Sequence, residues 1–162
     1  MGAVTLIREA GPGDWETMRD MRLAALRDAP DAFGSAYARE AAFTEQQWRA
    51  RFHDHGVTYL AYVAGIDEPA GIAGVLEEDG TADVVSMWVR PSARGRKAGE
   101  ALITTCAGWA RDRGHGELFL WVTQSNASAR ALYERCGFVP TGQSQPLPSN
   151  PALPEIRMAR PL

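Results

Sequence analysis

The chain is 162 residues long, with 17 basic and 20 acidic side chains, a net charge of −3 and 45% apolar residues. That length suits one domain able to remove roughly two-thirds of its unfolded surface from water, and the charge excludes a global basic field of the kind that holds nucleic acid. The longest apolar stretch, residues 57–66, is too short to span a bilayer; the opening MGAVTLIREA has no basic segment followed by an apolar one, and Leu6 stands where a myristoylation signal has Ser or Thr, so a soluble cytoplasmic protein is expected.

Residues 4–9 alternate as a strand. An amphipathic helix starts at residues 12–14, with Trp15, Met18, Met21, Arg22 and Leu26 recurring at helical spacing until Pro30 stops it. Residues 33–43 fit no single period. Thr44 caps a second helix, which sets Trp48 and Phe52 four apart on one face and runs to about His53 before Gly56. Residues 59–64, 70–77 and 82–89 read as three strands joined by turns at 67–69 and 78–80, an antiparallel meander.

Residues 99–113 form a third helix with Leu102, Ile103, Cys106 and Ala110 inward. The strand that follows, 118–123, is apolar on both faces; it suits a parallel pairing beside 82–89, reached by a right-handed crossover. After a polar turn at 124–126 comes a short helix whose apolar positions, Ala129, Leu132, Tyr133 and Cys136, put Tyr133 on the buried stripe, where a phenol needs a partner or a purpose. Residues 138–142 and 155–159 read as closing strands, and the loop 145–154 between them, with four prolines, as semi-rigid. The expected fold is α/β with a mixed sheet of about seven strands, a parallel pair and four helices, in one domain over residues 1–162. Cys106 and Cys136 lie on apolar faces without metal-type spacing and read as small core residues of a reduced protein; no metal site is expected. His53, His55 and His115 lie in turn-like surroundings and read as ordinary.

The most telling stretch is SMWVRPSARGRKAG, residues 86–99. An apolar run ends at Val89, breaks at Pro91 and passes through a cationic loop of Arg90, Arg94, Arg96 and Lys97 into a new helix. A helix start offers unpaired N–H groups and the positive end of the macrodipole, so this arrangement builds a phosphate site. Of the 17 basic residues only Lys97 is a lysine, and it lies in this loop.

Together with WVTQSNASARALYERCGF, residues 121–138, this stretch resembles the GNAT superfamily of N-acetyltransferases, which transfer an acetyl group from acetyl-CoA to an amine. The family's pyrophosphate loop runs Arg or Gln, two residues, Gly, one residue, then Gly or Ala. Here it is Arg94, Gly95, Arg96, Lys97, Ala98, Gly99, and Lys97 stands where the family prefers glycine, a position at which a Cβ resists positive φ. The more specific half of the match is Asn126 followed seven residues later by Tyr133, within ALYERCGF. Residues 21–35 are similar to bacterial members as well.

The resemblance implies acetyl-CoA as cosubstrate. Residues Arg94, Gly95, Arg96, Lys97, Ala98 and Gly99 would hold its diphosphate, the strand Met87, Trp88, Val89 would pair with the pantetheine arm and supply oxyanion donors, and Asn126 would hold the arm from the other side. Tyr133, also in contact with the cofactor, would protonate the departing thiolate, for which a phenol of pKa about 10 is a reasonable match. Asp83, or alternatively Glu77, is a candidate general base, and Phe33, Tyr37, Glu40, Trp88, Trp121 and the proline-rich loop are candidates to surround the acceptor. The implied function is acetyl transfer to a primary amine, chiefly a small molecule, by direct attack through a tetrahedral intermediate. A protein N-terminal or lysine acetyltransferase and a non-catalytic acyl-CoA sensor are the alternatives; a sensor has no need of a buried phenol near the sulfur. A phosphotransferase is disfavoured by the absence of a GxxxxGK[ST] run. No nucleic-acid or membrane partner is expected, and a homodimer is left open.

Overall fold

The computed structural model describes residues 5–162. In chain order the elements are β1 (Thr5–Ala10), α1 (Trp15–Asp28), α2 (Tyr37–Ala41), α3 (Glu45–Arg49), β2 (Gly56–Val63), β3 (Gly71–Glu78), β4 (Thr81–Val89), α4 (Ala98–Asp112), β5 (Glu117–Thr123), α5 (Ala127–Arg135), β6 (Val139–Leu147) and β7 (Asn150–Pro161). Residue 4, expected in the first strand, lies outside the described residues. The strands form one seven-stranded sheet in the order β1-β2-β3-β4-β5-β7-β6. Every neighbouring pair is antiparallel except β4 and β5, so the mixed sheet with its parallel pair is as expected. No helix among the described residues is long and apolar enough to cross a membrane.

Each face of the sheet carries its own core. On one side α4 presses the fully buried Leu102, Ile103, Cys106 and Ala110 onto β2, β3 and β4, together with Tyr133 and Phe138. Gly71 of β3 permits the close approach: a Cβ there would lie 3.1 Å from Leu102 Cδ1 and 3.0 Å from the Trp88 carbonyl oxygen. On the other side Met18, Met21, Ala25 and Leu26 of α1 pack with Trp48, Leu60, Ile72 and Trp88. Each buried Leu, Ile, Met or Phe side chain among these contributes about 1.5–3 kcal/mol.

Three elements differ from expectation. Residues 30–43 contain a short 3-10 turn and the five-residue α2, giving five α-helices among the described residues against the four expected. The helix capped by Thr44, whose hydroxyl accepts from Gln47 N at 3.2 Å, ends at Arg49 and not near His53, and the turn after it carries Arg51 to Glu40, 2.8 Å away. The proline-rich loop is a hairpin. Residues 145–147 belong to β6 and 150–154 to β7, with Pro146 opposite Pro154. Proline is tolerated there because β6 is the sheet edge and β7 has run past the end of β5, where Thr123 pairs with Glu155, so neither strand needs a full set of N–H donors.

Two irregularities open the sheet at its centre. The ladder between β4 and β5 consists of one register position, Asp83 opposite Phe119, and the strands part beyond it. In the same stretch the β3–β4 ladder slips between Ile72 opposite Trp88 and Gly74 opposite Val85, which leaves Ser86 and Met87 as a bulge with Ser86 at φ +58°. A non-glycine residue in that region costs on the order of 1–3 kcal/mol.

Candidate active site

The cationic loop begins where β4 ends. A 3-10 turn at Pro91–Ala93 leads into Arg94–Lys97, and α4 starts at Ala98. Gly95 has φ +80° and Lys97, at the cap position, φ +63°, so the lysine takes the left-handed conformation that its Cβ disfavours and the backbone path is kept. No side chain caps α4, and its first N–H groups are left facing the loop beside the positive end of the helix dipole. Lys97→Gly is expected to raise stability by about 1 kcal/mol while weakening CoA binding through loss of a cation, outcomes read separately by urea denaturation and calorimetry.

The four cations of the loop divide by their contacts. Arg94 donates to the Val89 carbonyl at 3.1 Å and to Asp28 at 2.8 Å; Asp28 also accepts from the Trp88 indole at 3.0 Å. That indole bond, more than Arg94, holds the Asp28 carboxyl below its ordinary pKa, although partial burial acts the other way. Arg94 therefore braces the loop against the end of α1. Arg90 is likewise engaged, by the Pro69 carbonyl at 3.2 Å and by Glu68 at 3.5 Å. Among the described residues Arg96 and Lys97 make no ion pair, and they are the cations free to meet a phosphate.

Tyr133 approaches from α5. Asn126 caps that helix, its Oδ1 accepting from Ala129 N and Ser128 Oγ, each at 3.3 Å. Gly99 lets α4 and α5 meet, since a Cβ there would lie 3.0 Å from Leu132 and 3.3 Å from Met87. The Tyr133 ring is 7% exposed and sits edge-on to Phe138 at 5.9 Å; burial pushes the pKa of its phenol up, so it stays a proton donor at neutral pH. It opens onto a cleft of about 280 Å³ that also involves Phe33, Asp83, Ser86, Met87, Trp121 and Glu155.

Of the expected acceptor groups, Phe33, Trp121 and Pro148 of the proline-rich segment line this cleft. The other three are committed elsewhere. Trp88 is buried against α1, Glu40 is fully buried between Arg22 and Arg51, and the Tyr37 hydroxyl bonds Arg27. Asp83 lies in the cleft, but both of its oxygens are taken by Arg157, at 2.6 and 3.1 Å, and Thr81 adds a bond at 3.0 Å. The Arg157 guanidinium in turn stacks over Phe119 and Trp121, at 4.5 and 5.2 Å from the ring centroids. Glu77 is not in the cleft; it bonds Arg113 at 2.6 Å and His115, and these two hydrogen bonds, Arg113 first, draw its pKa down to about 2.

Three cleft residues carry no signature in the sequence. Arg22, read above as part of a helical stripe, is bound on two nitrogens by Glu40, donates to Ser86 Oγ at 3.2 Å and lies 4.9 Å from the Phe33 ring centre. Ser86 forms the bulge, and Glu155 enters from β7. The segment after α1 is tied to the β6–β7 turn and to the end of β5: Ser149 Oγ donates to the Phe33 carbonyl, Thr123 Oγ1 to the Asp31 carbonyl, and Asn150 reaches Asp31 at 3.4 Å.

Known proteins resemble this chain in sequence over short segments and in fold over nearly its whole length. The mycothiol acetyltransferase of Beutenbergia cavernae is 42% identical over 60 residues, which are 37% of this chain and 20% of that protein. The streptothricin acetyltransferase of Streptomyces lavendulae is 46% identical over 50 residues, 31% of this chain and 26% of that one. The chain thus spans about a fifth and a quarter of the lengths of these relatives. Among solved structures, a GNAT-family acetyltransferase from Streptococcus pneumoniae superposes with a TM-score of 0.79 at 22% identity, over 98% of this chain and 99% of that one. Spermidine N-acetyltransferase from Vibrio cholerae, solved with CoA and spermine, has a TM-score of 0.75 at 16% identity, over 96% and 94% of the two chains; at these identities the likeness is one of fold. A model of the Acetyltransferase (GNAT) family matches residues 16–138, a span that takes in the cationic loop, the parted strands and Tyr133, and the chain belongs to that family.

Proposed function

We propose that this protein is an acetyl-CoA-dependent N-acetyltransferase whose acceptor is a small primary amine. The observation that carries the reading is the place of Tyr133: a buried, protonated phenol beside the gap between β4 and β5, with the uncapped start of α4 and the free cations Arg96 and Lys97 at the other end of that gap. The residues fit the cosubstrate. Helix N–H groups and two unpaired cations suit a diphosphate, and the unpaired edge of Met87–Val89 suits a pantetheine amide chain.

An alkylammonium of pKa ~10.4 is about one part in two thousand neutral at pH 7, so its deprotonation costs about 4–5 kcal/mol. Once neutral, the amine attacks the thioester carbonyl, and backbone N–H groups of Met87–Val89 that face the gap where β4 parts from β5 receive the negative charge that develops on its oxygen. The C–S bond then breaks and Tyr133 gives its proton to the sulfur. The second proton leaves the nitrogen as the amide forms, which restores the phenol directly or through water. Asp83 keeps Arg157 stacked on Phe119 and Trp121 and so shapes the cleft wall.

A small acceptor is supported by the cleft volume of about 280 Å³, by the contacts of Ser149 and Asn150 that tie the β6–β7 turn to the segment after α1, and by the relatives named for mycothiol and streptothricin. Release of free thiol from acetyl-CoA, measured against a panel of amines and an α-amino peptide, tests the reading. Turnover with small amines is expected; CoA binding without turnover of any amine identifies a sensor, and turnover of the peptide alone a protein acetyltransferase. Reversing the free cations, Arg96→Glu with Lys97→Glu, is expected to raise the CoA dissociation constant at least tenfold in low salt, the gap narrowing as salt is added. An unaltered constant removes the diphosphate from this loop.

A further inference from the structure

One buried carboxylate in the cleft has no work in the scheme above. Glu155 of β7 stands opposite Thr123 of β5 and Gln145 of β6 and is 7% exposed. Gln145 Nε2 donates to its Oε1 at 2.6 Å, and among the described residues no cation pairs with it. The charged and titratable groups around the cleft are Arg22 of α1, Asp83 of β4, Tyr133 of α5 and Arg157 of β7 itself. Each arginine already holds a carboxylate, Arg157 that of Asp83 and Arg22 that of Glu40, which it shares with Arg51 outside the cleft. Tyr133 is neutral, which leaves Glu155, among the described residues, as the cleft carboxylate that no arginine holds. A carboxylate buried without a cation is costly to a fold, and a cationic ligand removes that cost.

We propose that Glu155 is the group that receives the acceptor amine: its carboxylate binds the incoming ammonium and then takes one proton from it, leaving the nitrogen lone pair free to attack. This rests on the acetyltransferase reading and deepens it. The proton passes from nitrogen to a Glu155 oxygen, and on to water once product leaves; no other bond is made or broken in the step. The same pairings select the substrate. Arg22 and Arg157 each already hold a carboxylate, so an anion next to the amine would have to compete with Glu40 or Asp83, and the acceptor class is an amine without an adjacent carboxylate, such as a polyamine or an amino sugar, in preference to a free amino acid.

Burial raises the Glu155 pKa, with the Gln145 hydrogen bond acting in the opposite sense, which brings the carboxyl nearer to neutral pH as suits a base. The sign for stability follows. A carboxyl whose folded pKa is raised favours the protonated folded state, so the protein loses stability as pH climbs from the ordinary 4.5 through the raised value, and the loss is complete above it.

The test uses the whole protein and its Glu155→Gln variant, an isostere that keeps an acceptor for Gln145. Thiol release is followed from pH 5.5 to 9 with spermidine, glucosamine, 2-phenylethylamine and phenylalanine as probes, beside urea denaturation at pH 7 and a carbon-13 titration of the glutamate carboxyls. The variant is expected to be at least as stable as the parent, to lack a carboxyl signal that titrates above the usual glutamate range, and to lose ~10²-fold or more of kcat/KM at pH 7. That loss should shrink at high pH, where more of the amine arrives neutral. Turnover of 2-phenylethylamine should exceed that of phenylalanine. A parent that turns over none of the probes overturns the acetyltransferase reading and the role of Glu155 with it. An active parent whose variant keeps kcat/KM within about twofold, or whose Glu155 signal titrates in the ordinary range, overturns this inference alone.

Discussion

Replacing Tyr133 by Phe should lower turnover by about 10²-fold or more and leave the CoA dissociation constant almost unchanged. The substitution removes one oxygen. The ring keeps its edge-on contact with Phe138 at 5.9 Å and its place on the buried face of α5, so the cavity left behind is small and stability should change by less than about 1 kcal/mol. A donor whose pKa has been pushed up by burial is a weaker acid than free phenol, which at first sight argues against it as a proton source. In the proposed step the thiolate leaves into the same poorly solvated place, and desolvation raises the basicity of sulfur in the same direction, so the two stay matched. The raised phenol pKa also implies that Tyr133 contributes no alkaline fall in rate below pH 10. Single-turnover thiol release with a saturating amine isolates the chemical step, and calorimetric titration of CoA gives the affinity. A variant with unchanged turnover would take the proton-donor role from Tyr133; one with greatly weakened CoA binding would make the hydroxyl a cofactor anchor instead.

The proposed cofactor half of this site is legible in the sequence because it is local. Residues 86–99 form one strand, one loop and one helix start, and 121–138 one strand end, one turn and one helix, so periodicity, Pro91 and Gly137 place them without knowledge of the rest of the chain. Even there the pattern does not separate cations by use: Arg94 matches the motif yet spends its guanidinium on Asp28 and Val89, a contact 66 residues away in the chain. The proposed acceptor half is assembled from α1, the segment after it, β4, β5 and β7, and its members have no spacing to betray them. Glu155 reads as one acidic residue in a late strand until β5 is seen to end at Thr123 beside it. The proline-rich segment is read as a loop because proline opposes a central strand; only the sheet order shows that these residues occupy an edge and an overhang. Glu40 is misplaced for the same reason, since a glutamate in an aperiodic stretch is exposed by default and its burial depends on two arginines that reach it from other elements.

Those arginines make Glu40→Gln the most damaging conservative substitution expected in this protein for stability, costing about 3–5 kcal/mol. Arg22 binds both carboxylate oxygens, Nε to Oε1 at 3.0 Å and Nη2 to Oε2 at 2.9 Å, with its side chain 10% exposed; Arg51 adds Nη2 to Oε1 at 2.8 Å from a site 31% exposed. An amide cannot serve both: it presents one acceptor oxygen and turns an N–H₂ toward a guanidinium that has only donors. Arg22 would be left as a buried, uncompensated charge, and it could not turn to water without giving up the Phe33 ring and Ser86 Oγ. Burial alone would push the Glu40 pKa up, but the hydrogen bond and charge of Arg22, with help from Arg51, outweigh it and hold the carboxyl below its ordinary 4.5. The contribution is therefore fully present above pH 4.5 and is lost as pH falls through the lowered value, so parent and variant should converge in stability toward acid and differ most near neutral pH. Urea denaturation from pH 3 to 8 checks both the size and the shape of that difference, and parallel curves would deny the triad any net role. Arg51→Met should cost less, because its site admits water and Arg22 retains Glu40 in full. The consequence for activity is specific. Among the described residues Arg22 alone bonds the side chain of the strained Ser86 from α1, so releasing it lets the β4 bulge relax, and the acceptor KM should rise before the CoA dissociation constant moves, the cationic loop being braced separately through Asp28 and Arg94.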